Sequence, residues 1–103
     1  MINMIKNILG MGPKVDIEAL IKSGALILDV RSKGEYSGGH VKGSKNIPLD
    51  QLNKHLLKLK KDKPIITCCA SGMRSASAAN TLRSNGFTEV HNGGSWRNIE
   101  QYV

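Results

Sequence analysis

The chain has 103 residues, the length of a single domain, with a formal net charge of +7 and few aromatic residues. Its lysines concentrate on one predicted helix without interleaved aromatic residues, so we expect no nucleic-acid partner but a general attraction for small anions. The two cysteines are neighbours, which excludes a disulfide framework and favours a reducing, cytoplasmic compartment.

Residues 1–13 are predicted to form a short amphipathic extension ahead of the domain, which spans residues 14–103. Polar residues interrupt the apolar ones, so the extension resembles neither a secretory signal nor a membrane span. We expect a helix that docks on the domain and makes no integral membrane contact, with a weak membrane or partner contact as the alternative. The apolar residues at helical spacing are Met1, Met4, Ile5, Ile8 and Leu9.

From residue 14 onward, strand patterns alternate with helix patterns. Strand patterns fall at residues 14–15, 25–30, 44–47, 65–68 and 88–91. Strands that alternate with helices form parallel sheets, so we expect an α/β fold. The helices follow predicted caps, which are Asp16, Ser32, Asp50, Ser75 and Ser95.

The segment 68–75, with the sequence Cys-Cys-Ala-Ser-Gly-Met-Arg-Ser, carries the clearest chemical signal. A buried strand leads into it, Gly72 lets the backbone curl, and a helix follows. The unpaired N–H groups at the start of that helix, together with its dipole, favour an anion. The same field stabilises a thiolate, especially beside an arginine. The sequence therefore predicts thiolate chemistry on a small anionic substrate.

Four residues in this segment have specific expected roles. Cys69 is the candidate nucleophile because it stands where a strand ends, and ligands bind at that edge of a parallel sheet. Arg74 lies at the positive end of a helix, an unfavourable place that argues for binding an anionic substrate or lowering the pKa of Cys69. Ser71 and Ser75 can donate hydroxyl hydrogen bonds to an anionic sulfur, and Ser75 is alternatively the helix cap.

Three further polar residues lie close to the predicted site. Asp29, at another strand end, is expected mainly to fix a loop by accepting backbone hydrogen bonds, while Arg31 either pairs with Asp29 or Glu35 or helps to admit an anion. Strand alternation sends Cys68 to the opposite face from Cys69, so we predict a buried structural thiol there. No group of His, Cys, Asp and Glu residues has the spacing of metal ligands, and we expect neither a metal nor another cofactor.

Three segments, in chain order, resemble the rhodanese-like domains. Residues 28–48, which contain Leu-Asp-Val-Arg-Ser, Gly-His-Val-Lys-Gly-Ser and Asn-Ile-Pro, are similar to the N-terminal signature of that family. Residues 69–76 are similar to its active-site loop and helix, and residues 90–94 followed by Trp96 to its C-terminal turn. The resemblance covers about residues 14–102. The sequence differs from the family pattern at Cys68, where members often have tyrosine or another bulky residue.

The resemblance implies a five-stranded parallel sheet flanked by helices on both sides. It also implies a sulfurtransferase that moves a sulfane sulfur from thiosulfate, or from another persulfide donor, to a thiophilic acceptor such as cyanide or a thiol. Cys69 would carry this sulfur as a persulfide, with Asp29 and Arg31 in support. The binding loop would consist of Ala70, Ser71, Gly72, Met73, Arg74 and Ser75.

Several alternatives remain open at this point. The acceptor is expected to be a low-molecular-weight thiol or a thioredoxin-like protein, and the domain could instead be a sulfur-relay or regulatory module that delivers sulfur to one protein partner. A cysteine-based phosphatase or arsenate reductase is less favoured. Such phosphatases place five residues between their cysteine and arginine, whereas only the four residues 70–73 separate Cys69 from Arg74.

Overall fold

The structure, a computed structural model, describes residues 16–103. Four strands alternate with helices along this part of the chain, as the sequence patterns predict. None of the helices described here is long and apolar enough to cross a membrane. The elements are α1 (Ile17–Lys22), β1 (Leu26–Asp29), α2 (Lys33–Ser37), β2 (Lys45–Asn46), a 3₁₀ helix (Leu49–Lys58), β3 (Ile65–Cys69), α3 (Met73–Ser84), β4 (Val90–Ser95) and α4 (Trp96–Glu100).

The strands form one parallel sheet in the order β2-β1-β3-β4. The predicted α/β fold is therefore confirmed, with four strands rather than five in the described residues. The remaining predicted strand, at residues 14–15, lies outside those residues, as does the amphipathic extension 1–13, and both stay predictions. In the sheet, Asp29 of β1 is the register partner of Cys68 in β3, so the strand ends that carry the polar residues meet at one edge.

Helices cover both faces of the sheet, and each face has its own apolar cluster. On one face, Leu28 and Ile65 pack with Leu52 of the 3₁₀ helix and Leu82 of α3. On the other face, the partly buried apolar side chains of α1 pack with Ile99 of α4 against the strands. These clusters remove several large apolar side chains from water, the main favourable term in folding. A sheet held on both sides leaves its carboxyl edge as the place for a site.

Local hydrogen bonding explains why several helices begin where the sequence predicts. Asp16 caps α1 by accepting a hydrogen bond from the N–H of Ala19. Ser32 and Glu35 form the predicted capping box of α2. Ser95 accepts a hydrogen bond from the N–H of Arg97 and caps α4. Each cap satisfies a backbone donor that the helix itself leaves unpaired.

Other predicted boundaries are wrong. Helix α3 begins at Met73 rather than Ser75, because Gly72 adopts φ = +104° at its N-cap and turns the chain earlier, so Ser75 lies inside the helix. The segment after Pro48 winds as a 3₁₀ helix, and Asp50 sits in its first turn rather than capping it. Strand β4 extends through the predicted turn to Ser95.

Gly93 allows β4 to pack closely against β3 and α4. A Cβ atom at this position would lie 2.5 Å from Ile99 Cδ1 and 2.7 Å from Ile66 Cγ2, so no larger residue fits without movement. The pairing of β3 with β4 is regular up to Thr67 and Asn92 and then shifts before Cys69 pairs with Ser95. The register therefore places Asn92 opposite Thr67, two residues before β3 ends at Cys69.

Candidate active site

Cys69 is the last residue of β3, and its side chain lies beneath the turn that leads into α3. The turn is short, since only residues 70–72 separate the strand from the helix. Gly72 approaches the neighbouring β4 segment closely, because a Cβ there would lie 3.3 Å from Gly94 Cα. Its positive φ strongly favours glycine, and any side chain here would also push against Gly94, so the turn has one narrowly defined path. That path curls the backbone around the Cys69 sulfur.

Backbone N–H groups converge on this sulfur. The N–H of Gly72 donates to Cys69 Sγ at 2.9 Å, and the N–H of Ser75 donates to it at 3.4 Å. Both donors belong to the start of α3, where N–H groups have no partner within the helix. The sulfur therefore takes the position that an anion would occupy at this helix end.

The hydrogen bonds change the acidity of Cys69. Burial of the side chain acts to raise its pKa, but the hydrogen bonds from Ser75, Gly72 and Ser71 outweigh burial and lower the pKa below that of an ordinary cysteine. The Ser75 side chain is the largest of the lowering contributions. A lower pKa means more thiolate at neutral pH, and the thiolate is the nucleophilic form.

Asn92 supports this arrangement, although its sequence context predicts only a turn. Its Oδ1 lies 2.6 Å from Ser75 Oγ and also accepts a hydrogen bond from the N–H of Gly94. Its Nδ2 donates to the carbonyl oxygen of Gly72 at 3.2 Å. Asn92 thus ties the turn, the start of α3 and the end of β4 together. It is a positioning residue for Ser75, whose Oγ lies 3.5 Å from Cys69 Sγ.

Arg74 lies on the same helix turn, and its guanidinium pairs with Glu35. The sequence predicts Glu35 only as part of the capping box and as an alternative partner of Arg31. Two of the Arg74 N–H groups donate to the carboxylate of Glu35 at 2.7 and 2.9 Å. This ion pair, together with the N–H of Ser32, lowers the pKa of Glu35 to about 2, so the pair is charged at neutral pH. Glu35 therefore holds Arg74 in place beside the loop.

Asp29 and Arg31 form a buried ion pair. Arg31 Nε lies 3.0 Å from both carboxylate oxygens of Asp29, and its Nη2 lies 2.7 Å from Oδ2. Two further guanidinium N–H groups donate to the carbonyl oxygens of Glu35 and Gly39, so four of the five are used, and the guanidinium stacks on Trp96. With its donors used in this way, Arg31 is a structural residue, and this geometry disfavours the alternative that it admits an anion.

Cys68 points into the opposite cluster from Cys69, as strand alternation predicts. Burial, together with the charge of Asp29, raises the pKa of Cys68 to about 12. At neutral pH it therefore stays a thiol with little nucleophilic character. The two adjacent cysteines have opposite chemical environments.

The side chains of the remaining predicted loop residues form no hydrogen bond to the Cys69 sulfur, including the predicted one from the Ser71 hydroxyl. Ala70 and Ser71 are exposed, and the Met73 side chain is 80% exposed at the first position of α3. No cluster of three or more potential metal-ligating side chains occurs within residues 16–103.

We expect Ser75→Ala to raise the pKa of Cys69, because the substitution removes the largest contribution that lowers it. The rate of iodoacetamide alkylation at Cys69, measured against pH, should then rise at a higher midpoint and be slower at pH 7. Ser77→Ala is the matched control, since Ser77 is exposed on the same helix. An unchanged midpoint in Ser75→Ala would contradict the role of this hydroxyl.

In this α/β domain, one strand of a parallel sheet ends at a cysteine whose sulfur accepts hydrogen bonds from the start of the next helix. This arrangement is typical of domains that use a single thiol as a nucleophile. The sequence profile of the rhodanese-like domain matches residues 14–100. This match covers most of the chain, which therefore belongs to the family of rhodanese-like domains.

Individual relatives agree with this assignment. An uncharacterized Bacillus subtilis (strain 168) protein, YqhL, is 46% identical over 68 residues, which is 66% of this chain and 54% of that protein, so the chain spans about half its length. The thiosulfate sulfurtransferase GlpE of Stutzerimonas stutzeri (strain A1501) is 33% identical over 79 residues, covering 77% of this chain and 72% of that protein. The human single-domain sulfurtransferase TSTD1 superimposes with a TM-score of 0.76 at 28% identity, covering 87% of this chain and 96% of that one.

Proposed function

We propose that this protein transfers a sulfane sulfur from thiosulfate, or from another persulfide donor, to a thiol acceptor through a persulfide on Cys69. The convergence of the Gly72 and Ser75 N–H groups on Cys69 Sγ carries this proposal. These donors stabilise the thiolate that attacks and can also stabilise the negative charge of a bound persulfide. The similarity to thiosulfate sulfurtransferase GlpE supports thiosulfate as the donor.

The proposed reaction has two steps. In the first, the Cys69 thiolate attacks the outer sulfur of thiosulfate, a bond from Sγ to that sulfur forms, and the sulfur–sulfur bond of thiosulfate breaks. Sulfite leaves with the electron pair, and Cys69 holds the persulfide. In the second, an acceptor thiolate or cyanide attacks the outer sulfur, and the electron pair of the broken bond returns to Cys69 as a thiolate.

The position of Arg74 supports an anionic donor. Two of the five N–H donors of Arg74 bind Glu35, and the Arg74 side chain remains partly exposed at the start of α3. A guanidinium held there attracts the sulfonate end of thiosulfate. The four residues between Cys69 and Arg74 form a smaller cradle than the five of cysteine-based phosphatases, which favours sulfur over phosphate.

A reducing compartment such as the cytoplasm is part of this proposal. Both cysteines are free thiols, and the reaction cycle requires Cys69 to return to the thiolate. Low-molecular-weight thiols and thioredoxin-like proteins are abundant acceptors of suitable chemistry in such a compartment.

Intact-mass spectrometry after thiosulfate treatment tests the proposal. We expect the protein to gain the mass of one sulfur, located on the peptide that contains Cys69, and cyanide to remove it as thiocyanate. No mass gain at Cys69 would contradict the proposal. Hydrolysis of an aryl phosphate that depends on Cys69 would instead favour a phosphatase.

A further inference from the structure

A basic groove runs along the outer edge of the sheet, beside β2 and the 3₁₀ helix. Its larger part is a cavity of about 690 Å³ lined by Lys33, Lys45, His55 and Lys58 among other residues. A smaller cavity of about 180 Å³ shares Lys45 and Lys58 and adds Lys60 and Lys63. We call these five lysines and His55 the basic groove.

The residues that line the basic groove in the described part of the chain carry an excess of positive charge. None of the ion pairs within residues 16–103 involves its lysines. Asp50 is the single acidic residue among those that line the two cavities. Residues 1–15 contain no aspartate or glutamate, so they supply no neutralising carboxylate side chain either. The groove therefore presents a concentrated positive field to a partner.

The basic groove is continuous with the surroundings of the candidate active site. Ser32, Pro48 and Asp50 line the larger cavity and also line a neighbouring one of about 390 Å³. Arg74, in the first turn of α3, lines that neighbouring cavity as well. A chain that lies in the groove can therefore extend toward the turn that holds Cys69.

Three features favour a protein segment over nucleic acid as the occupant. No Phe, Tyr or Trp lines these three cavities among the described residues, so stacking platforms for bases are missing there. The Asp50 carboxylate repels a continuous phosphate backbone but leaves room for discrete acidic side chains. In addition, β2 lies at the edge of the sheet formed by residues 16–103, where an extended peptide can add its own backbone.

We propose that the basic groove binds an acidic, extended segment of a protein thiol that accepts sulfur from Cys69. This inference rests on the proposed function and names its acceptor class. The acceptor thiolate attacks the outer sulfur of the Cys69 persulfide, a new sulfur–sulfur bond forms on the acceptor, and the bond to Cys69 Sγ breaks with its electron pair returning to Sγ. Electrostatic attraction in the groove brings that thiol to the site before the reaction.

A single-turnover experiment tests the groove. The protein is first loaded with sulfur from thiosulfate and freed of excess donor. It is then mixed with a hexaglutamate peptide that ends in cysteine or with the matching hexaglutamine peptide. We expect the acidic peptide to remove the sulfur about tenfold faster at low ionic strength and to lose this advantage as salt is added.

The double variant Lys45→Glu, Lys58→Glu should abolish the preference for the acidic peptide. The double variant Lys22→Glu, Arg97→Glu is the matched control, because it makes the same total charge change on α1 and α4, across the sheet from the 3₁₀ helix, and the preference should persist. Since both peptides carry the same thiol, the ratio of their rates isolates the groove from the chemistry of Cys69.

Equal rates for the two peptides, or a preference that survives in the Lys45→Glu, Lys58→Glu variant, would overturn the inference. It would also be overturned if single-stranded oligothymidine or phosphatidylserine vesicles bound more tightly than the acidic peptide and lost that binding in the same variant. A failure of the proposed function is distinguishable, since the protein would then not acquire sulfur in the loading step.

Discussion

Cys69→Ser is expected to lower thiocyanate formation from thiosulfate and cyanide by at least about 10³-fold. The serine hydroxyl keeps the shape of the side chain, but it is not ionised at neutral pH and cannot form a persulfide. The hydrogen bonds from Gly72 and Ser75 then face an oxygen that carries no charge. Initial rates of thiocyanate production, together with the intact mass after thiosulfate treatment, measure this effect.

Cys68→Ala is the matched control for this experiment. Its sulfur lies in the other apolar cluster and has a pKa of about 12, so turnover should stay close to that of the unaltered protein. A Cys69→Ser protein that forms thiocyanate at the original rate would refute the mechanism. A folded Cys68→Ala protein without activity would instead show that the reaction depends on Cys68 and that the assignment to Cys69 is wrong.

Arg31→Met is expected to destabilise the protein by about 3–5 kcal/mol, because it leaves the buried carboxylate of Asp29 without its counter-charge. Asp29 is fully buried and Arg31 is 4% exposed, so water does not replace the lost hydrogen bonds. The carbonyl oxygens of Glu35 and Gly39 lose their donors as well. Urea unfolding followed by circular dichroism gives the change in the free energy of unfolding.

Arg97→Met provides the comparison, because Arg97 also stacks on the Trp96 ring but is exposed. Its loss should cost less than about 1 kcal/mol. Equal losses for the two variants would show that the stacking on Trp96, rather than the ion pair with Asp29, accounts for the effect at Arg31.

The sequence predicted well those features that depend on neighbouring residues or on strand periodicity. The capping box of Ser32 and Glu35 needs only a spacing of three residues, and the structure contains it. The alternation of Cys68 and Cys69 follows from the period of a strand. The position of Cys69 at the carboxyl end of a parallel strand follows from the order of elements along the chain.

Features that depend on folding of distant segments were not predictable in the same way. Glu35 and Arg74 are 39 residues apart, and no local pattern indicates that they pair. Asn92 contacts Ser75 only because β4 pairs with β3 next to the start of α3. The early start of α3 depends on the positive φ of Gly72, which a glycine permits but does not require. Each case concerns tertiary geometry rather than propensity.

The separation of the two thiols by the sheet has a consequence for oxidative damage. When an oxidant converts a reactive cysteine to a sulfenic acid, a neighbouring thiol can condense with it and form a disulfide that reductants repair. Here the adjacent thiol, Cys68, faces the other side of the sheet, and the chain has no third cysteine. Within these 103 residues, no second thiol is therefore placed to form a repairable disulfide with an oxidised Cys69.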